Sequence, residues 1–195
     1  IKAVGFVGSS PIAQYIYERA AATGKRAQCF GGAKNHAIVM PDADLDQTVD
    51  ALVGAGYGAA GERCMAVSVA VPVGKTTAER LMEKLIPRVE NLKIGPSIDP
   101  TADFGPLVTR AALERVKNYV EIGIKEGAKL AVDGRGFKMQ GYENGFYMGG
   151  CLFDNVTKDM RIYKEEIFGP VLSVVRAHDY NEALSLPSEH EYGNG

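Results

Sequence analysis

AVGFVGSS, residues 3–10, runs directly into PIAQYIYERAAATGK, residues 11–25, and the join decides the fold class. The first stretch reads as a short buried strand that ends in a turn. The second places Ile12, Tyr15, Ile16 and Arg19 at helical spacing. Pro11 suits a first helical turn, where its missing N–H is no loss, and Gly24 suits a helix stop. Strand, glycine turn and helix in that order form the repeating unit of a layered α/β protein. The turn also offers the free N–H groups and positive dipole end that can hold a phosphate. A plain helix capped by Ser9 or Ser10 is the alternative, because GFVGSS is not the full GxGxxG pattern.

The alternation continues along the chain. HAIVM, residues 36–40, reads as a strand. PDADLDQTVDALVGAGYG, 41–58, reads as a helix capped by Asp42 or Asp44, with Leu45, Val49, Leu52 and Val53 on its apolar face. AVSVAVPVG, 66–74, is a valine-rich strand. TTAERLMEKLIPRVENLK, 76–93, is an amphipathic helix that Pro87 is expected to kink or divide. A loop over 94–109 precedes a helix whose Leu113, Val116, Val120 and Ile124 share one face. KLAVDG, YMGGCLFDNV and Val171–Arg176 read as further strands, and NEALSLPSE begins another helix. These elements imply α/β layers around a largely parallel sheet.

Composition excludes several classes. The 195 residues are 46% apolar and 24% charged, with a net charge of −2. That leaves no basic field for nucleic acid or an anionic membrane. No apolar run approaches the roughly 20 residues of a membrane span. Cys29, Cys64 and Cys151 show no paired spacing, so a reducing, cytoplasmic setting without disulfides is expected. His36, His178 and His190 lack metal-ligand spacing, and no metal is expected. The chain opens on a strand already under way and closes straight after a helical pattern, so it reads as a fragment of a larger protein.

Three segments carry candidate chemistry. In GYGAAGERCMAV, residues 56–67, Cys64 follows a small-residue stretch that lets a substrate approach. Arg63 beside it could favour a thiolate. A lone cysteine near a strand is otherwise a small buried hydrophobe. In YKEEIFGPV, an extended backbone would turn Glu165 and Glu166 to opposite sides, one of them inward, where it could bind sugar hydroxyls. In CFGGAKNHAIVM, His36 beside an apolar strand reads as structural rather than as a base.

Taken in order, GFVGSS, KRAQCFGGAKNH, GAAGERCMA, FGPLVT and YKEEIFGPV resemble the NAD(P)-dependent aldehyde dehydrogenase superfamily over essentially the whole chain. GAKNH and RCMA are similar to its coenzyme A-acylating branch, which acts on methylmalonate and malonate semialdehydes. The resemblance implies the end of a Rossmann-like NAD-binding domain at 1–30, then an aldehyde-dehydrogenase-like catalytic domain at 31–195. It implies a homo-oligomer for the full-length protein. It makes Cys64 the nucleophile that forms a thioester. Gly8 and Ser9 match the residues that meet the NAD pyrophosphate, and Gly31 matches the backbone near the nicotinamide end. Glu166 matches the acid that holds the nicotinamide ribose, and Phe168 the ring beside it. Arg63 is the candidate for a substrate carboxylate. The family's second glycine in the first turn is Ala13 here.

One departure bears on the reaction. Hydrolytic members carry a Glu that activates water upstream of the nucleophile. An ungapped register puts that position at Phe30, and a gap moves it to Cys29. Phenylalanine cannot accept a proton. The acyl group is therefore expected to leave on coenzyme A, whose thiol needs less activation than water. A hydrolytic dehydrogenase with a base from elsewhere, and a non-catalytic folded module, are the alternatives.

Overall fold

A computed structural model describes residues 1–195, which divide into two compact units, Ile1–Ala33 and Lys34–Gly195. In the first unit β1 (Ala3–Val7) leads into α1 (Ser10–Ala21), and β2 (Arg26–Phe30) returns beside β1. The two strands pair in parallel, from Ala3 with Arg26 to Val7 with Phe30. β2 is absent from the sequence reading. Its alternation is masked because Arg26, Gln28 and Phe30 face out while only Ala27 and Cys29 are half-buried.

The helix expected from the spacing of Ile12, Tyr15, Ile16 and Arg19 is present as α1, but those residues do not supply its buried face. Ile12 and Tyr15 are 50% and 60% exposed, and the buried positions are Ala13 and Ala20. Two small residues let the helix lie close to the strands, where branched side chains would hold it away. Gly24 closes the turn after α1 with φ +67°, which a side chain would strain.

The second unit is built on a five-stranded sheet. Its strands are β3 (Asn35–Val39), β4 (Val67–Pro72), β5 (Lys129–Val132), β6 (Cys151–Asp154) and β7 (Val171–Val174). Their spatial order is β3-β4-β7-β6-β5. All neighbours are parallel except the antiparallel pair β5–β6. Every residue of β6 and β7 is buried, as strands covered on both faces require. The covering helices are α2 (Leu45–Tyr57), α3 (Lys75–Glu90), α4 (Arg110–Lys125) and α6 (Tyr180–Glu189), with a single turn, α5, at Arg161–Lys164.

Of the two candidate caps for α2, Asp44 takes the position and accepts from the backbone N–H of Asp46 and Gln47. Leu45, Val49, Leu52 and Val53 are buried as expected. On α4, Leu113, Val116 and Val120 are buried, but Ile124 at the last turn is 39% exposed. Pro87 does not divide α3, which is continuous from Lys75 to Glu90. Pro87 and Glu83 both face solvent, so water can serve the carbonyl that the missing N–H leaves open. No helix is long and apolar enough to cross a membrane.

Candidate active site

In the first unit the candidate residues meet at the carboxyl ends of β1 and β2. The Gly8 N–H donates to Phe30 O at 3.1 Å. A Cβ on Gly31 would lie 2.6 Å from Ser10 Oγ, so only glycine permits this approach. The Gly32 N–H donates to the same Ser10 hydroxyl at 3.0 Å. Ser9 is the N-cap of α1, yet its side chain makes no capping bond. Its hydroxyl and the open N–H groups of the first turn are thus available to an anion. Gly8, Ser9 and Gly31 thus lie together around the first turn of α1.

In the second unit the nucleophile candidate sits at the end of an unusual turn. Ala59, Ala60 and Gly61 all have left-handed backbone, with φ of 52°, 55° and 68°. Each non-glycine residue there costs about 1–2 kcal/mol. The turn ends at Glu62, and Arg63, Cys64 and Met65 follow as exposed residues. Cys64 is an exposed free thiol, whereas Cys151 is buried. Burial pushes the Cys151 thiol up to about 11, so it fits the filler role and Cys64 does not. The Arg63 guanidinium folds back over Gly58, where an added Cβ would lie 2.8 Å from Nη1.

Gly61 brings the nucleophile turn against the second motif. A Cβ there would stand 2.1 Å from Gly169 O. This places GAAGERC beside EEIFGP, although the two are about 100 residues apart in the chain. Phe168, half-buried, has φ +54°, a strained conformation for an aromatic residue. Glu165 itself has extended backbone. Glu165 accepts from Arg161 Nε at 2.8 Å and from the Tyr119 hydroxyl at 2.7 Å. Arg161 thereby holds the Glu165 carboxyl below its usual range. Glu165 is thus committed to contacts within the protein.

Three residues that the sequence did not single out for this role support the site. Lys34 is 1% exposed, and its Nζ donates to Ile162 O at 2.7 Å and Glu165 O at 2.8 Å. Asn35 Nδ2 donates to Cys64 O at 2.9 Å and Ala66 O at 2.8 Å. Glu62 Oε2 accepts from the Val108 N–H at 3.0 Å. Burial raises the Glu62 pKa. KNH was visible as a motif, but its partners lie far along the chain. His36 is structural, as expected: its Nδ1 lies 2.8 Å from Lys34 O and its Nε2 3.0 Å from the Tyr163 hydroxyl.

The aldehyde dehydrogenase family profile matches residues 1–195. Malonate-semialdehyde dehydrogenase of Pseudomonas aeruginosa is 58% identical over the whole chain, which covers 39% of that protein. The mitochondrial methylmalonate-semialdehyde/malonate-semialdehyde dehydrogenase [acylating] of Rattus norvegicus is 49% identical over the whole chain and 36% of its own length. A Sinorhizobium meliloti structure described as methylmalonate-semialdehyde dehydrogenase complexed with NAD superposes with a TM-score of 0.97. It is 68% identical over 98% of this chain and 39% of that one. The chain thus spans about two-fifths of the length of these relatives.

Proposed function

Because the chain belongs to the aldehyde dehydrogenase family, we propose that the protein carrying it oxidises malonate or methylmalonate semialdehyde and transfers the acyl group to coenzyme A. The observation that carries this reading is the exposed Cys64 at the end of a strained turn, seated beside the EEIFGP segment. NAD, when bound, supplies the hydride acceptor. By the family resemblance, Gly8 and Ser9 would meet its pyrophosphate and Gly31 its nicotinamide end, while Glu166 would hold the nicotinamide ribose and Phe168 would lie beside it. Cys64 Sγ, as the thiolate, bonds to the aldehyde carbon. Loss of hydride from that carbon leaves a thioester on Cys64. The coenzyme A thiol, having given its proton to solvent, attacks the thioester and returns the Cys64 thiolate. The products are an acyl-CoA, NADH and, where decarboxylation follows, CO2. Arg63 receives the distal carboxylate of the substrate.

Phe30 supports the choice of acceptor, since it offers no base to activate water. Relatives named as acylating point the same way. The test is NADH formation by the whole protein from malonate semialdehyde, with and without coenzyme A. Coenzyme A should raise turnover at least about tenfold and appear in the product, and Cys64→Ala should abolish turnover. A free acid formed equally fast without coenzyme A would overturn the acyl-transfer assignment. Full activity in Cys64→Ala would overturn the nucleophile.

A further inference from the structure

We propose that Lys34 and Asn35 form a positioning pair that sets the nucleophile segment and the Glu166 segment relative to each other. The inference rests on the roles proposed above for Cys64 and Glu166. These neighbours in sequence stand at the head of β3, and each reaches a different functional segment.

Asn35 spends both amide hydrogens on one stretch, Cys64 O and Ala66 O. Two carbonyl acceptors fix the amide orientation, because an oxygen facing them would be repelled. The stretch needs such a partner. The β3–β4 register is irregular at this point: Asn35 pairs with Val67 but His36 pairs with Val69. The regular ladder therefore begins after Cys64 and Ala66, and a side chain takes carbonyls that the strands leave open.

Lys34 does the same for the other segment. The single turn α5 ends at Lys164, and a helix end leaves its last carbonyls without partners. Ile162 O and Glu165 O both receive Lys34 Nζ, directly before Glu166. Gly61 and Gly169 close the arrangement from the other side, with no room for a side chain between them. Hydride loss from a carbon held on Cys64 needs reacting atoms within about 3–3.5 Å, and a displacement of about 1 Å can cost about 10²-fold. The pair acts on that distance without touching substrate.

The experiment uses the whole protein with Asn35→Asp, which keeps the shape and loses both donors, and Lys34→Met, which keeps the length and loses its donors. Asn35→Asp should lower kcat about 10- to 100-fold with KM for NAD within about twofold. Lys34→Met should raise KM for NAD about tenfold with a smaller effect on kcat. Amide hydrogen exchange supplies a readout independent of activity. Asn35→Asp should speed exchange at residues 62–67 and spare 165–168, and Lys34→Met should do the reverse. If Asn35→Asp does not fold, Asn35→Ser, which keeps one donor, should show a milder form of the same pattern. Exchange that changes equally in both segments, or in neither, overturns the pair. Activity retained in Cys64→Ala with segment-selective exchange overturns the proposed chemistry and leaves the pair standing.

Discussion

Ala59 and Ala60, followed by Gly61 in the same left-handed region, concentrate strain in two residues just ahead of Cys64. Strain of this kind persists only where the surroundings enforce it, and the Gly61–Gly169 contact is one enforcing element. Gly61→Ala should therefore cost at least about 2 kcal/mol of stability, read by urea unfolding, because a Cβ 2.1 Å from Gly169 O must push the two segments apart. Lys34 gives a second prediction at this scale. Burial draws its amine from an ordinary 10.5 down to about 7, against the opposing pull of Glu166 and then Glu165. His36 also lies within electrostatic reach. Between these two values the unfolded chain holds more protons than the folded one, so stability rises with pH across the window. It is fully present above 10.5 and lost as pH falls through about 7. The slope is at most about 1.4 kcal/mol per pH unit. Unfolding at pH values between about 7 and 9.5 should show this slope in the native protein, and Lys34→Met should flatten it. Cys64 and Glu166 could be picked out from sequence because their segments carry local motifs. The support from Asn35 and Lys34 could not, since a side-chain bond to a carbonyl 29 or 131 residues away has no local signature.

Among the elements, α3 shows how solvent tolerates a helix breaker. Pro87 sits in the exposed row of the helix, and α3 continues through it to Glu90. Pro87→Ala should restore the missing hydrogen bond and stabilise the protein by about 1–2 kcal/mol, read as a higher urea midpoint. A neutral result would mean that proline's restraint on the unfolded chain offsets the gain. The same reasoning explains which elements could be read in advance. α2 and the fully buried β7 announce themselves because their apolar residues keep one period. β2 does not, because a strand with one solvated face and no branched residues looks like loop. α5 is a single turn, too short to show any period.

At the scale of the molecule the two units differ sharply in what they bury. In the first, β1 and β2 have no buried residue, and α1 buries only Ala13 and Ala20. The second encloses strands that are buried throughout. Local stability follows buried apolar contact. In the 195-residue chain, backbone amides of β1 and β2 should exchange on the order of 10²-fold faster than those of β7. Comparable protection would show that the first unit draws stability from something other than its own packing. The α/β class was legible from alternation alone, whereas strand order was not, because periodicity says nothing about which strands become neighbours.

That order has a consequence for synthesis. β7, the last of these five strands in chain order, is the middle of the five and joins β4 to β6. Until Val171–Val174 emerges, the nascent chain holds two separate strand pairs, β3–β4 and β5–β6, each with an apolar edge awaiting a partner. Pairing across so long an interval is slow, and open edges invite the wrong neighbour. The interval between translating Pro72 and translating Val174 is therefore the stretch in which this sheet most needs a chaperone.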